Sequence, residues 1–393
     1  MKIVIISPTY NEKANIEKMI PVLEEEIFPM IKHHDMQILI ADDKSPDGTA
    51  EVIKEYQKKY KNLHLITGEK QGLGAAYVRG MKYSMEQLHA DAVMEFDADF
   101  QHDPHDIPRL IAAMDAGADY VIGSRYVPGG AIPKEWGIDR KFLSVFGSLF
   151  IRVVWLNFKI HDMTSGFKLT KTSYLKKIDL DHLLSKNFSY KIQILHEVIK
   201  QGAKVQEVPI VFNERTQGGS KISQNDQFES LYIVLRLALD DHKRIIKFLF
   251  VGGTGFILQY MVTYMLIISG VEQFIAAMLG GEAAILSNFF LNNIWTFKDT
   301  DKIKQKGSLI ERLVKFNTAS LLSIGLQGLA TFIAVLLLGE DLHVLGYTIH
   351  TALAILFPTI ILLVIPLNYF IYNKIVWKTQ YLKKSKPAEI LTK

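Results

Sequence analysis

The sequence predicts an α/β head built on a mostly parallel sheet, followed by an all-α transmembrane part of four helices. Three observations predict it. Up to about Asp241 short apolar runs alternate with longer stretches of helical period, from Ile245 onward long apolar runs dominate, and lysines and arginines gather on one side of those runs. With 393 residues the chain has room for two or three domains, at roughly 100 to 200 residues each.

The strands are read at "KIVIIS", "MQILIA", "LHLIT", "DAVMEF" and "ADYVIGS". Helical period marks the intervals between them, as in "NIEKMIPVLEEEIFPMI" and "TAEVIKEYQKKY". Strands joined in this way form right-handed βαβ units, and ligands bind beyond the carboxyl ends of such strands. The first run is short and ends in a turn, which suits a buried strand and not a signal peptide, so the head is expected in the cytoplasm. No cysteine is present, which excludes disulfides, thiolate catalysis and Cys-ligated zinc. The net charge is only +4, and no basic block with interleaved aromatics precedes the membrane part, which argues against a nucleic-acid partner.

The loop after each strand carries the chemistry. Strand one leads into "SPTYNE", two into "DDKSPDGT", three into "EKQGLGAAYVRG", four into "DADFQHDP" and five into "SRY". Residues 45–49 read as a turn with Asp47 or Thr49 capping the next helix. "GLGAAYVRG" has Tyr77 where a dinucleotide fingerprint needs its third glycine, and it comes after the third strand, so that reading fails. Gly72 and Gly74 then either let the backbone approach a phosphate or base, or start the helix.

Asp97 and Asp99 are two apart at a strand end, where both side chains can reach one ion, and Gln101 can add a carbonyl oxygen. Hard oxygen ligands suit Mg²⁺ or Mn²⁺. Such an ion neutralises a departing nucleoside diphosphate. An isolated acid pair is common in solvated loops, but this one sits after a buried strand beside the other polar loops.

These stretches, with "GSRYVPGG", "DRKFLS", "TSGFKL" and "ERTQGGSK", resemble the successive motifs of family 2 glycosyltransferases, most closely dolichol-phosphate mannose synthases, over about residues 3–225. The resemblance implies a GT-A fold, GDP-mannose as donor, dolichyl or another polyprenyl phosphate as acceptor, and inverting, metal-dependent mannosyl transfer. It also implies that Pro8, Tyr10, Glu12, Asp42, Asp43 and Gly72 surround the nucleotide. Asp99 and Gln101 would hold the metal, with Asp97 binding the sugar and assisting the metal. Arg125, Arg140 and Ser144 would take the lipid phosphate, and Arg215 and Lys221 would lie near the diphosphate or acceptor. "MTSGFKL" departs from the eukaryotic pattern, nearer TGSFRL, which bears on local contacts.

The residues support this chemistry on physical grounds. A phosphate monoester has a second pKa of about 6 and is already an anionic nucleophile near neutral pH, so no general base is needed. Positioning and charge stabilisation suffice, and the planar forks of Arg125 and Arg140 match a phosphate. For Arg140 a helix-end or membrane-surface charge is the plainer alternative. Residues 141–158 are apolar around Arg152 and read as an interfacial helix beginning near 140, with a buried core helix as the alternative. "PGGAIP" is expected to be a mobile loop that gates the acceptor.

The expected domains are a head over 1–226, an amphipathic connector over 227–244, a membrane part over 245–376 and a basic tail over 377–393. The four spans are Ile245–Ile268, Phe274–Phe297, Lys315–Leu338 and Tyr347 to about Val376, each long enough for a bilayer core of about 20 helical residues. Lys298, Lys302, Lys304, Lys306 and Arg312 come after the second span, and Lys374, Lys378, Lys383, Lys384 and Lys386 lie at and beyond the end of the fourth. Both termini and the head are therefore expected in the cytoplasm. "KRIIKFLFVGGTGFILQ" and "ERLVKFNTASLLSIGLQ" align at an offset of 68, and "SNFFLNN" and "LNYFIYN" at 80, which predicts a duplicated helical hairpin. This part resembles the GtrA-like four-helix membrane proteins. Glu282, inside the second span, is expected to face a partner or a polar cavity. Two other functions stay open: glucose transfer from UDP-glucose by the same chemistry, and a lipid-sugar translocator with a binding head.

Overall fold

A computed structural model describes residues 1–214, 224–271, 273–298, 309–339, 341–344, 347–351 and 358–377. The chain divides into two compact units, Met1–Asp240 and Asp241–Lys393.

In the first unit the five expected strands are β1 (Lys2–Thr9), β2 (Asp35–Asp42), β3 (Leu63–Thr67), β4 (Ala92–Glu95) and β5 (Tyr120–Ser124). Two strands not expected, β6 (Lys168–Lys171) and β7 (Val205–Pro209), complete a sheet of order β3-β2-β1-β4-β6-β5-β7. β1 to β4 pair in parallel, as do β5 and β7, while β6 runs antiparallel to both its neighbours. Register places Thr9 beside Asp42 and Ile6 beside Glu95, so the loops after β1, β2 and β4 open on one edge. Lys168, the first residue of β6, pairs with Glu95 and Ile122. The "TSGF" stretch therefore enters β6 from that same edge.

The apolar runs that predict β1, β2 and β4 are continuous because both sheet faces are covered. Ile3, Ile5, Ile38 and Ile40 pack on one side with Ile16, Met19 and Ile20 of α1 (Lys13–Pro21) and Leu110 of α4 (Ile107–Asp115). Val4, Ile6 and Leu39 pack on the other with Tyr77 and Met81 of α3 (Leu73–Glu86) and Leu195 of α7 (Tyr190–Lys200). α2 (Thr49–Lys59) comes after β2 with Gly48 at its cap position, and Asp47 just before it accepts from the Thr49 N–H through Oδ1 at 3.1 Å. α6 (Thr172–Leu175) is a single turn after β6.

α5 (Ile138–Val154) covers most of the stretch expected to be interfacial and leaves Ile138, Phe142, Val145, Phe146, Leu149 and Val153 exposed, while Ser148 and Ile151 are buried. A core helix would not leave that face bare. The loop expected to be mobile is instead tied down, because Ala131 N donates to the Ile210 carbonyl and Phe212 N to the Ala131 carbonyl, each at 3.0 Å. An isolated parallel bridge from Ala131 to Val211, just beyond β7, holds the loop backbone. The expected connector over 227–244 lies inside one helix, α8 (Gln224–Ile268).

The second unit contains the rest of α8, α9 (Gln273–Leu291), α10 (Leu309–Leu338) and α11 (Ile365–Ile371). Among the described residues, Asn225–Ile268 is long and apolar enough to cross a membrane, and Leu362–Val376 is a shorter apolar helix. The fourth span does not begin at Tyr347 as expected. Tyr347–His350 forms β9, paired antiparallel with β8 (Asp341–Val344), in keeping with the strand preference of "YTIH". Glu282, expected to face a partner, is exposed on α9.

The duplication has a structural counterpart. Phe248 meets Tyr369 edge-to-face with centroids 5.5 Å apart, and at offsets of 68 and 80 its equivalent Phe316 meets Phe289 edge-to-face at 5.6 Å. Asn288 likewise lies against Gly255, where a Cβ would collide with its Oδ1, and the equivalent Asn368 accepts from the Ser323 hydroxyl at 2.5 Å. The first helix of each hairpin thus carries one aromatic onto the second helix of the other. Much of the basic segment after the second span, with Lys302, Lys304 and Lys306, and the tail beyond Trp377 lie outside the described residues.

Candidate active site

A cavity of about 1010 Å³ opens at the carboxyl edge of the first unit's sheet. Of the residues expected around the nucleotide, Pro8, Tyr10, Glu12, Asp43 and Gly72 line it. The first and second loops are laced together: Asn11 N donates to the Ser45 hydroxyl at 3.0 Å, and Glu12 N to the Thr49 hydroxyl at 3.3 Å. Asn11 holds this turn with a φ of 57°, a left-handed conformation that asparagine tolerates.

Asp42 is fully buried and does not reach the cavity lining. Its carboxylate accepts from the hydroxyls of Thr9 at 2.8 Å and Ser45 at 2.6 Å, and from the Ser45 N–H at 2.8 Å, so it builds the loop. Asp43 faces the cavity with Arg79 Nη2 2.6 Å from its Oδ1. Burial raises its pKa, and the Arg79 partner only partly offsets that. Gly72 has a φ of 115°, and a Cβ there would stand 2.5 Å from the Lys186 carbonyl. The glycine therefore answers a close approach of the chain to itself at the start of α3.

Asp97, Asp99 and Gln101 all line the cavity. Tyr77 donates to Asp97 Oδ1 at 2.7 Å, which leaves Oδ2 turned toward Gly166. Asp99 is 3% exposed, and its Oδ1 accepts from the Gln101 N–H at 3.1 Å. Phe100 between them has a φ of 58°, unusual for an aromatic residue and a mark of a backbone forced into a tight bend. Gln101 is anchored by its carbonyl, which accepts from Asn213 N at 2.8 Å. Among the described residues no group of three or more acids or histidines gathers as a metal cage. Two carboxylates in a cleft still fit Mg²⁺ or Mn²⁺, which bind through one or two carboxylates and complete their shell with water and phosphate oxygens. His102, buried beside them, has its pKa pushed down to about 3 by burial, so its imidazole is neutral.

Arg125 lines the cavity, but its fork is engaged. Its Nε and Nη2 donate to the two oxygens of Asp162 at 2.7 and 2.8 Å, and Nη2 also reaches the Thr164 hydroxyl at 3.0 Å. Asp162 is fully buried, and its own backbone N–H is held by Glu207 Oε1 at 2.8 Å. The two charges of the pair largely offset each other, and the guanidinium is held in one orientation. Arg140 stacks its guanidinium 3.9 Å above the Trp136 ring, and the Ser144 hydroxyl meets the Tyr126 hydroxyl at 2.5 Å; Arg140 and Ser144 both line the cavity. The structure thus brings Arg125, Arg140 and Ser144 to the side of the cavity bounded by α5. Arg215 and Lys221 lie outside the described residues.

Sequence reasoning missed Asp162, Thr164, Lys191 and Tyr77. Behind Asp97, Tyr77 stacks on Tyr190 with centroids 5.6 Å apart, and the Tyr190 hydroxyl donates to the buried Glu95. Lys168, also fully buried, donates to the Lys191 carbonyl at 3.1 Å. Burial pushes the Lys168 pKa down to about 8, with Glu95 opposing the shift. Only the polar residues of "TSGFKL" and the acid before it hint at this network in the sequence.

The mostly parallel sheet and this acid-and-arginine cleft are those of a GT-A-like glycosyltransferase head. Residues 4–179 match the family described as glycosyl transferase family 2, and residues 247–377 match the transmembrane domain of GtrA/DPMS. The dolichol-phosphate mannosyltransferase of Pyrococcus furiosus is 34% identical over 326 residues, covering 82% of this chain and 87% of that one. The polyprenol monophosphomannose synthase of Mycolicibacterium smegmatis is 36% identical over 252 residues, 62% of this chain and 91% of that one. The undecaprenyl-phosphate mannosyltransferase of Micrococcus luteus is 34% identical over 240 residues, 61% and 95%. The chain belongs to glycosyltransferase family 2 and carries a GtrA/DPMS membrane domain after its catalytic head.

Proposed function

We propose that the protein transfers mannose from GDP-mannose to dolichyl or another polyprenyl phosphate, with inversion, at the cytoplasmic face of a membrane. The observation that carries this reading is a cavity that collects both carboxylates of the DAD stretch and both arginines, Arg125 and Arg140, at the carboxyl edge of the sheet. The likeness to mannosyltransferases that act on lipid phosphates, by their names, supports the sugar and the acceptor class.

In this reading a phosphate oxygen of the lipid attacks the anomeric carbon, and the bond from that carbon to the nucleoside diphosphate breaks. The attacking oxygen is already anionic, so no side chain has to remove a proton. Arg140, fixed on Trp136, supplies charge for the lipid phosphate, while Arg125, fixed by Asp162, supplies an oriented N–H edge. Asp97 and Asp99, with Gln101, would hold a divalent ion, which when bound neutralises the diphosphate as it departs. The exposed apolar face of α5 would rest in the membrane surface and bring the acceptor's headgroup to Ser144 and Arg140.

Transfer of labelled sugar from GDP-mannose, UDP-glucose and UDP-GlcNAc to a polyprenyl phosphate, with Mn²⁺ and with chelator, tests the proposal. Chelator-sensitive product from GDP-mannose is the expected result. Product only from a UDP-sugar would replace the donor, and no product from any would remove the enzymatic reading.

A further inference from the structure

Lys191 is a buried lysine that the proposed mechanism does not use. It is 1% exposed, lines the cavity, and holds its Nζ 4.2 Å from the Phe188 ring centroid. Its place is fixed from behind by a buried polar network: Lys168 grips its carbonyl, and the Glu95, Tyr190 and Tyr77 chain orients Asp97 beside it. Lys168 and Lys191 share this region with the carboxylates of Glu95, Asp97 and Asp162 and with the Arg125 guanidinium, so groups of both signs border it.

That space is defined by a bare glycine. A Cβ on Gly166 would stand 3.1 Å from Lys191 Nζ, 3.3 Å from His102 Nε2 and 3.5 Å from Asp97 Oδ2. Three polar atoms of different character thus converge on one small opening. The ammonium only donates, the carboxylate only accepts, and an imidazole nitrogen can do either. A phosphate needs donors throughout and would be repelled by Asp97. Vicinal sugar hydroxyls each donate and accept, which matches the set.

We propose that Lys191, with Asp97 and His102, forms the subsite for the hydroxyls of the donor hexose, and that Lys191 determines which epimer is accepted. The proposal rests on the reading of this cavity as a sugar-nucleotide site. It assigns to Lys191 a contact with the sugar and none with the diphosphate.

The test uses the full chain in lipid nanodiscs, with Lys191→Met, Lys191→Gln and Gly166→Ala. For each, kcat/KM is measured with GDP-mannose and with its C2 epimer GDP-glucose, and the Kd of GDP alone by calorimetry. Losing a charged hydrogen bond lowers kcat/KM for the preferred donor by roughly tenfold or more. Lys191→Met should do this and shrink the preference between epimers while the Kd of GDP changes less than about twofold. Lys191→Gln, which keeps a donor, should recover part of the preference, and Gly166→Ala, which fills the opening, should erode it. An unchanged epimer ratio in all three variants would overturn the proposal, as would GDP binding that weakens in step with activity. If the wild type uses a UDP-sugar instead, the donor reading fails separately, and the same ratios with UDP-glucose, UDP-galactose and UDP decide the role of Lys191. If nothing turns over, the gain in affinity of GDP-mannose over GDP replaces kcat/KM, and its survival in Lys191→Met refutes the subsite.

Discussion

Replacing Asp162 with asparagine removes the charge that fixes Arg125 and keeps nearly the same shape. The carboxylate is fully buried and accepts from Arg125 N, Nε and Nη2 at 3.0, 2.7 and 2.8 Å. In the variant a guanidinium stays buried without its counter-charge, and the new amide turns a donor toward it. Removing one partner of a buried pair costs about 3–5 kcal/mol. For a unit of the size of Met1–Asp240, each kcal/mol moves the midpoint by about 2–4 °C, so the head's unfolding should fall by roughly 6–20 °C. Thermal unfolding of the full chain in detergent, followed by tryptophan fluorescence, reads this directly. The pH dependence gives a second check. Burial alone would raise the Asp162 pKa, but the charge and hydrogen bonds of Arg125 outweigh it and hold the group below its ordinary 3.8. A group depressed in this way adds stability that is fully present above about pH 4 and fades as the pH drops through its folded-state pKa. The gap between wild type and variant should therefore be widest near neutrality and narrow below about pH 4. A midpoint shift under about 2 °C at neutral pH would refute the claim that this pair organises the site.

The same geometry sets other outcomes. Asp99→Ala should lower transfer at least a hundredfold, on the order of several kcal/mol of lost charge stabilisation, with the unfolding midpoint nearly unchanged; near-normal turnover would remove the metal assignment. Arg140→Ala should raise the KM for the lipid phosphate by roughly tenfold to a hundredfold, the worth of a charge-assisted hydrogen bond, with little effect on GDP binding. Phe142→Glu and Phe146→Glu, on the exposed face of α5, should reduce transfer to a long polyprenyl phosphate in vesicles far more than to a short, water-soluble one. Gly72→Ala should destabilise the head by at least about 1 kcal/mol, because its φ of 115° and the nearby Lys186 carbonyl both oppose a side chain.

Much of the head was legible because its central strands are buried on both faces and so read as unbroken apolar runs. β6 and β7 escaped notice for the opposite reason: "KLTK" and "VQEVP" carry charges, and the buried Lys168 is tolerated only because Glu95 and the Lys191 carbonyl lie beside it. A single sequence cannot pair residues as far apart as Glu95 and Lys168. The same limit hid Asp162, which reads as an ordinary loop acid until Arg125 is folded onto it. Asp97 and Asp99 stood out by their short spacing after an apolar run, but β4 ends at Glu95, and it is the turn beyond it, not strand alternation, that brings both to the cavity. Asp42, expected around the nucleotide, accepts three hydrogen bonds from Thr9 and Ser45 and lies behind the cavity lining, which only the folded loop shows. In the second unit the duplicated hairpin was visible through its repeated Phe, Asn and Gln, whereas "YTIH" read as the start of a span until its pairing with Asp341–Val344 appeared.

In the proposed reaction one cavity joins a nucleotide-bound mannose to a lipid phosphate with the help of a divalent ion. It is tested most directly by incubating the full chain in nanodiscs with labelled GDP-mannose and a polyprenyl phosphate, and extracting the lipid product with and without chelator. A mannosyl lipid should form with Mn²⁺ or Mg²⁺ and disappear with chelator and in Asp99→Ala. Product that persists in chelator, or mannose released to water and never found on the lipid, would contradict it.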